Sequence, residues 1–108
     1  MSYNVIAIPK FEKELKRLSK KYASLKFEYM ELVESLHNQP KQGTPLGNNC
    51  FKIRLSIASK GKGKSGGARV ISYLHVVKTT VYLLTIFDKS NQESIADKEL
   101  QELLKELP

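Results

Sequence analysis

Three consecutive segments have the pattern of β-strands, and this restricts the chain to folds built around a sheet. In the first segment apolar residues alternate with Lys52, Arg54 and Ser56, which is typical of a strand with one buried face. The third segment is apolar enough to lie in the centre of a sheet. The three predicted strands cover Phe51–Ile57, Ala68–Val77 and Val81–Phe87, with a turn at Lys78–Thr79.

Two amphipathic helices are predicted before these strands. A short strand, Tyr3–Ile8, opens the chain, and Pro9 suits the first turn of a helix because its missing N–H costs nothing there. Apolar residues recur every three or four positions from Phe11 to Tyr22 and again from Leu25 to Leu36. We expect Ser24 to cap the second helix, and the two helices to form a hairpin whose apolar faces lie on the sheet.

The remaining segments complete an α+β prediction. Residues 39–49 are rich in Pro, Gly and Asn and are predicted to be a loop, and Ser94 is predicted to open a C-terminal helix. Helices grouped before a meander favour an antiparallel sheet that is covered on one face and open to solvent on the other. The expected fold is a single domain, residues 1–108, with an N-terminal strand, an αα-hairpin, a three-stranded antiparallel meander and a C-terminal helix.

Composition points to a globular protein of the cytoplasm. The apolar share of 41% and the charged share of 27% are ordinary for a folded domain, and the single cysteine, Cys50, excludes an intramolecular disulfide. We expect neither a secretory signal nor a membrane span, because no basic stretch precedes a long apolar run and no apolar stretch approaches about 18 residues.

Positive charge is concentrated in the middle of the chain. The formal net charge is +7, yet no Asp or Glu occurs between Ser35 and Phe87, a span that contains eight Lys and Arg residues. Such a span can build one strongly positive surface, and nucleic-acid phosphate is the partner that it most naturally attracts.

The predicted strands place some of these cations on one face. Lys52 and Arg54 project together from the first strand, and Arg69 begins the next with Tyr73 and His75 in the same phase. If the register matches, Arg69, Tyr73 and His75 join Lys52 and Arg54 on one surface. The competing interpretation is that these are solubilising charges on a half-exposed sheet.

The segment Lys60–Gly67 has three competing interpretations of its own. With the strand that ends at Asp88, it imitates a phosphate-binding loop, but Gly66-Gly67 and a β-rich run stand where such a loop requires a helix. ATP or GTP hydrolysis is therefore not favoured. We expect a flexible hairpin loop in which Lys60, Lys62 and Lys64 contact a nucleic-acid backbone, or else a merely soluble loop.

With this order of elements, several short motifs resemble the RelE/ParE superfamily of bacterial toxins, most closely its RelE/HigB-like branch. They are Phe51-Lys52-Ile53-Arg54-Leu55, Gly66-Gly67-Ala68-Arg69-Val70, Phe87-Asp88-Lys89-Ser90, the opening residues 11–18 and the loop from Pro40 to Gly47. The resemblance covers essentially the whole chain.

The resemblance implies a toxin that cleaves messenger RNA on the ribosome without a metal or other cofactor. It also implies a cognate antitoxin, which inhibits the toxin and through which the complex contacts operator DNA. By the same resemblance, Arg54 and Arg69 hold the pentavalent phosphate, Lys52 is the candidate base that activates the ribose 2′-OH, and Lys89 is the candidate acid at the leaving oxygen.

The chain also departs from the family pattern. Arginine stands at position 54 where lysine is frequent, the tyrosine expected shortly after Lys89 is absent, and so is the C-terminal histidine of HigB-like toxins. His75 could replace a proton shuttle, and Tyr73 could stack on a base. Two other functions stay open: a non-enzymatic, ParE-like toxin that inhibits DNA gyrase, and a nucleic-acid-binding module without catalysis.

Overall fold

The computed structural model describes residues 2–60 and 66–108, which form one mixed sheet with three α-helices. The helices are α1 (Pro9–Lys21), α2 (Leu25–Asn38) and α3 (Asp97–Lys105). The strands are β1 (Asn4–Ala7), β2 (Thr44–Gly47), β3 (Cys50–Leu55), β4 (Ala68–His75) and β5 (Thr80–Asp88).

The sheet has the order β1-β5-β4-β3-β2. The predicted meander is confirmed, because β3, β4 and β5 pair antiparallel in succession, while β1 pairs with β5 in parallel. Strand β2 is an addition to the prediction: the segment expected to be a loop pairs with β3 through Thr44 and Pro45. Its four residues, one of them proline, carry too little β pattern to be recognised as an edge strand.

Helices α1 and α2 provide the main hydrophobic core. Phe11, Leu25 and Leu36 are completely buried, and Phe51 and Ile53 of β3 belong to the same buried cluster. Burying one side chain of this size is worth about 1.5–3 kcal/mol. The alternation seen in the sequence of β3 therefore reflects one face on the core and one face directed away from it.

The second face of the sheet is partly covered, so the expectation that it is open to solvent is wrong. Ile71, which shares the phase of Arg69 on β4, is completely buried, and Leu100 and Leu103 of α3 are about 97% buried. Residues of β4 and α3 also line one cavity together. The apolar stripe of α3 needs a surface to pack on, and the second face supplies it.

Two predicted helix caps differ from the structure. Helix α3 is preceded by Ala96 and begins at Asp97, three residues after Ser94. Ser24 does precede α2, but its hydroxyl donates to Glu28 and accepts the backbone N–H of Ser59 at 2.9 Å. Neither serine therefore caps its helix with a side-chain hydrogen bond, and Ser24 instead joins the start of α2 to Ser59.

Helix α1 also completes the exposed edge of β5. The parallel pairing with β1 ends at Leu83, so no strand of the described residues lies on this edge of β5 beyond it. Glu14 fills this place, because its carboxylate accepts the hydroxyl of Thr85 at 2.7 Å and the backbone N–H of Ile86 at 3.3 Å. The end of β5, which leads to Lys89, is thereby fixed to α1.

Candidate active site

The register of β3 and β4 brings the three predicted cations of the sheet to one face. Arg54 lies directly opposite Arg69, and Lys52 lies opposite Ile71. Like charges in directly opposed positions are unfavourable in a sheet. An arginine pair at such a position is therefore a feature that stability alone does not explain.

A cleft of about 290 Å³ joins these cations to the end of β5. Lys89 follows β5 directly, and its backbone N–H donates to the carbonyl of Gly67 at 3.0 Å, which ties it to the start of β4. The cleft is lined by Lys52, Arg54, Arg69, Lys89, Glu93 and Ser94. All four residues that the resemblance marked as catalytic thus border one cavity.

Arg69 is the most enclosed of these cations. Its residue is only 3% exposed, and its guanidinium donates to the carbonyl of Ala68 at 3.1 Å. Burial, together with the neighbouring Arg54, lowers the pKa of the Arg69 guanidinium, whereas Glu93 opposes this shift. Arginine stays charged under such conditions because its ordinary pKa exceeds 12. Arg69 is therefore a fixed positive charge at the floor of the cleft.

Lys52 and Arg54 line the wall of the cleft beside Arg69. The ammonium of Lys52 donates to the hydroxyl of Ser94 at 3.4 Å, and the Arg54 side chain is exposed. Within residues 2–60 and 66–108, neither residue forms a salt bridge. Both residues therefore line the cleft without an ion pair to a described carboxylate.

Glu93 is the site residue that sequence reasoning missed. Its carboxylate accepts a hydrogen bond from the Lys89 ammonium at 3.1 Å and is largely exposed. The hydrogen bond and charge of Lys89, with further help from Lys52 and Arg69, lower the pKa of the Glu93 carboxyl. The available signal was the spacing of four residues between Lys89 and Glu93. Side chains at this spacing meet only where the backbone turns, so the spacing alone does not predict the contact.

The structure corrects the prediction for Lys60. Its ammonium forms an ion pair with the buried carboxylate of Asp88, donates to the Ser90 hydroxyl at 3.1 Å and lies 5.6 Å from the centre of the Tyr22 ring. Lys60 therefore anchors one end of the lysine-rich segment rather than offering a free charge to nucleic acid. The two other predicted loop contacts, Lys62 and Lys64, lie outside the described residues.

Asp88 is the centre of this anchor. It also accepts the Tyr22 hydroxyl at 2.6 Å and the Ser90 backbone N–H at 2.9 Å. Burial by itself raises the pKa of Asp88, but the hydrogen bonds from Lys60, Ser90 and Tyr22 together outweigh it and hold that pKa far below its usual range. The network joins the end of α1, the residue that precedes the lysine-rich segment, and the end of β5.

Tyr73 and His75 lie on the face of Arg69 but not in the same cleft. Both are partly exposed, and their ring centres are 6.0 Å apart in an edge-to-face arrangement. They line a separate cavity near the C-terminal end of α3. The phase predicted for β4 is confirmed, whereas the two rings and the four cleft cations line different cavities.

The chemistry of the cleft suits a phosphate group. Guanidinium and ammonium groups supply hydrogen-bond donors and positive charge, which a phosphoryl transition state requires.

Across the described ranges, no group of three or more His, Cys, Asp and Glu side chains is arranged to hold a metal ion. None of the helices described is long and apolar enough to cross a membrane.

Fold and site together define an α+β protein with a cation-lined cleft on the outer face of a mixed sheet. The family model described as the RelE toxin of the RelE/RelB toxin–antitoxin system matches residues 10–107. The chain therefore belongs to the RelE toxin family.

Solved structures show the same fold. A free E. coli RelE variant with two arginine-to-alanine substitutions is 15% identical, with complete coverage of both chains and a TM-score of 0.66. The RelBE2 toxin–antitoxin complex of Mycobacterium tuberculosis matches 82% of this chain and 99% of its own chain, at 19% identity and a TM-score of 0.59. The E. coli variant bound to an antitoxin peptide, RelBc, is 21% identical, with complete coverage of both chains and a TM-score of 0.52.

Proposed function

We propose that this toxin is an endoribonuclease that cleaves messenger RNA bound to the ribosome. The observation that carries the proposal is the direct cross-strand opposition of exposed Arg54 and buried Arg69 in a cleft that Lys52 and Lys89 also line. A plain nucleic-acid-binding surface needs cations but gains nothing from enclosing one of them. A site that stabilises extra negative charge on a single phosphate does gain from it.

The proposed reaction is attack of the ribose 2′-OH on the adjacent phosphate. The new bond joins the 2′-oxygen to phosphorus, the bond to the 5′-oxygen of the next nucleotide breaks, and the products carry a 2′,3′-cyclic phosphate and a 5′-OH. Arg69 and Arg54 hold the phosphate oxygens, Lys52 accepts the 2′-OH proton, and Lys89 donates a proton to the leaving oxygen. This assignment requires Lys89 to exchange its contact with Glu93 for one with the substrate.

We also propose that a cognate antitoxin inhibits the protein and links it to operator DNA. This proposal rests on membership of the RelE/RelB family and on solved relatives that are complexes with antitoxin. An antitoxin that covers the cleft would inhibit the protein, because it would exclude RNA from the cleft.

Induction of the wild-type protein and of Arg69→Ala in bacteria tests the nuclease proposal. We expect the wild type to arrest growth and to cut transcripts within reading frames, which primer extension detects. The rate of cleavage by Arg69→Ala should be at least about 100-fold lower, as is typical for loss of a transition-state charge contact. Arg17→Ala on the exposed face of α1 is the matched control and should behave as the wild type.

Two results would contradict the proposal. One is growth arrest with intact transcripts, especially if DNA damage comes first, which would support gyrase inhibition instead. The other is undiminished cleavage by a stably folded Arg69→Ala protein, which would remove Arg69 from the reaction.

A further inference from the structure

A second cavity, of about 540 Å³, lies on the same sheet face as the cation cleft. It is lined by Asn48, Asn49, Tyr73, His75, Gln101, Leu104, Leu107 and Pro108. We propose that this cavity, called here the base pocket, binds one unpaired nucleobase of the RNA whose phosphate occupies the cation cleft. The proposal deepens the nuclease function and rests on it, since it assigns a second subsite for the same strand.

The chemistry of the base pocket fits a base better than a phosphate. Among the residues that the structure describes, its lining includes no Lys, Arg, Asp or Glu, in contrast to the cleft of Lys52, Arg54, Arg69 and Lys89. Three side-chain amides, from Asn48, Asn49 and Gln101, offer both donors and acceptors, which is what the edge of a nucleobase requires. Leu104 and Leu107 supply apolar surface, and a volume in this range is ordinary for a small-ligand site.

The aromatic residues of the base pocket add directed groups. The Nδ1 atom of His75 accepts the backbone N–H of Lys78 at 3.3 Å, so the neutral ring carries its proton on Nε2 and can donate there. Tyr73 is supported by Tyr82, whose ring is stacked at a centroid distance of 6.4 Å. Aromatic rings held in this manner are the surfaces on which proteins stack unpaired bases.

The β2–β3 turn presents two of the amides. Asn48 and Asn49 both have left-handed φ values, 53° and 60°, and the Asn49 carbonyl accepts the backbone N–H of Leu74 at 2.8 Å. Asparagine tolerates this conformation, but glycine adopts it more readily. The turn itself therefore does not require two asparagine side chains, which leaves the amides available for recognition.

The two sites are correctly spaced for one strand of RNA. Tyr73 follows Arg69 by four positions on β4, or about 13 Å, and this even spacing keeps both on the same face of the sheet. Cys50 lies opposite Tyr73, so Asn49, in the turn just before β3, borders the same end of that face. Ser94 at the cleft leads into α3, which ends at the base pocket. A phosphate held by Arg69 thus places a neighbouring nucleotide within reach of the base pocket.

Titration of the folded protein with the four ribonucleosides tests the pocket without requiring cleavage. We expect at least one nucleoside at millimolar concentration to shift the NMR signals of Asn49, His75 and Gln101, while inorganic phosphate shifts those of Arg69 and Lys89 instead. Absence of any nucleoside shift at the base pocket, or equal shifts there with inorganic phosphate, overturns the proposal. Because no reaction is needed, this result is independent of whether the protein proves to be a nuclease.

Cleavage of short RNAs tests whether the base pocket sets sequence preference. We expect the wild type to prefer one base at a fixed position beside the cut, and Asn49→Gly combined with Gln101→Ala to reduce that preference at least about tenfold. The same variant should cleave an RNA with an abasic nucleotide at that position as the wild type does. Asn38→Gly, at an exposed site on α2, is the matched control and should keep the preference. An unchanged preference in the double variant contradicts the proposal.

Discussion

The most informative single residue of the cleft is the acidic residue Glu93 rather than one of the four cations. Glu93 places a carboxylate beside Lys89 and close enough to Lys52 and Arg69 for their charges to lower its pKa. A group with a lowered pKa is a weak proton acceptor, so Glu93 is poorly suited to activate the 2′-OH. Its more consistent role is that of an internal anion, which the substrate phosphate replaces.

Replacing Glu93 with glutamine should therefore strengthen RNA binding. The variant keeps the shape of the side chain but removes one negative charge from the cleft proposed to bind phosphate. We expect the Kd for a short single-stranded RNA to fall several-fold at low salt and to depend more steeply on salt concentration. Fluorescence anisotropy of a labelled RNA at several salt concentrations measures both effects. Glu102→Gln, an exposed residue of α3, controls for the change in net charge. Equal or weaker binding by Glu93→Gln would contradict this role.

Among contacts between elements, the Asp88 network has the clearest consequence for stability. Asp88 and the Lys60 ammonium are both buried, so removing the carboxylate leaves a positive charge without compensation. We expect Asp88→Asn to lower the free energy of unfolding by about 3 kcal/mol at neutral pH, as is typical of breaking a buried ion pair. Urea denaturation at pH 7 measures this loss, and a variant as stable as the wild type would show that the network contributes little.

The same network predicts how stability depends on pH. The pKa of Asp88 is lower in the folded state than the value near 4 expected in the unfolded chain, so its contribution is fully present above that value. It is lost as pH falls from about 4 toward the folded-state pKa. Urea midpoints measured from pH 6 to pH 2.5 should therefore decrease more steeply for the wild type than for Asp88→Asn. Parallel curves would contradict the assignment of the network to Asp88.

The contact between β3 and β4 sets the geometry of the cleft. A Cβ atom added at Gly67 would clash with the backbone oxygen of Leu55. The backbone must therefore move at this point, which is directly beside the Arg54–Arg69 pair. We expect Gly67→Ala to lose most RNA cleavage and about 3 kcal/mol of stability. Activity assays under conditions where circular dichroism shows the variant to be folded separate the two effects.

Gly47 provides the matched control for this substitution. It has φ +91°, but among the described residues no atom beyond its two chain neighbours lies within 4 Å of an added Cβ. Gly47→Ala should therefore cost about 1–2 kcal/mol from backbone strain alone and should keep cleavage. If both glycine variants lose activity equally at equal folding, the close approach at Gly67 is not what positions the arginines.

At the scale of the whole molecule, local patterns predicted the elements better than their tertiary contacts. Alternation in β3 and the phase of β4 predicted one face for Arg54 and Arg69 on the condition that the register matched, because strand periodicity is a property of the backbone. The pairing of Arg54 with Arg69 supplies that register. The coverage of that face by α3, and the short edge strand β2, depend on packing and pairing that no local pattern expresses.

The charge pattern was misleading for the same reason. The central span contains no acid in sequence, but folding brings Asp88 to Lys60, and it brings Glu93 close enough to Lys52 and Arg69 for their charges to lower its pKa. Separation along the chain says little about separation in space. Of the cations that seemed uncompensated, Lys52, Arg54 and Arg69 line the cleft, whereas Lys60 belongs to the anchor.

The chemical identity of the cut ends tests the central claim most directly. Purified protein added to ribosomes programmed with a defined messenger RNA should leave a 2′,3′-cyclic phosphate on one fragment and a 5′-OH on the other. A single 2′-deoxynucleotide at the cut position should abolish that cut, and Arg69→Ala should fail to make it. Cleavage that persists at the deoxy position, or fragments that carry a 5′-phosphate, would contradict attack by the ribose hydroxyl in a cleft of Lys52, Arg54, Arg69 and Lys89.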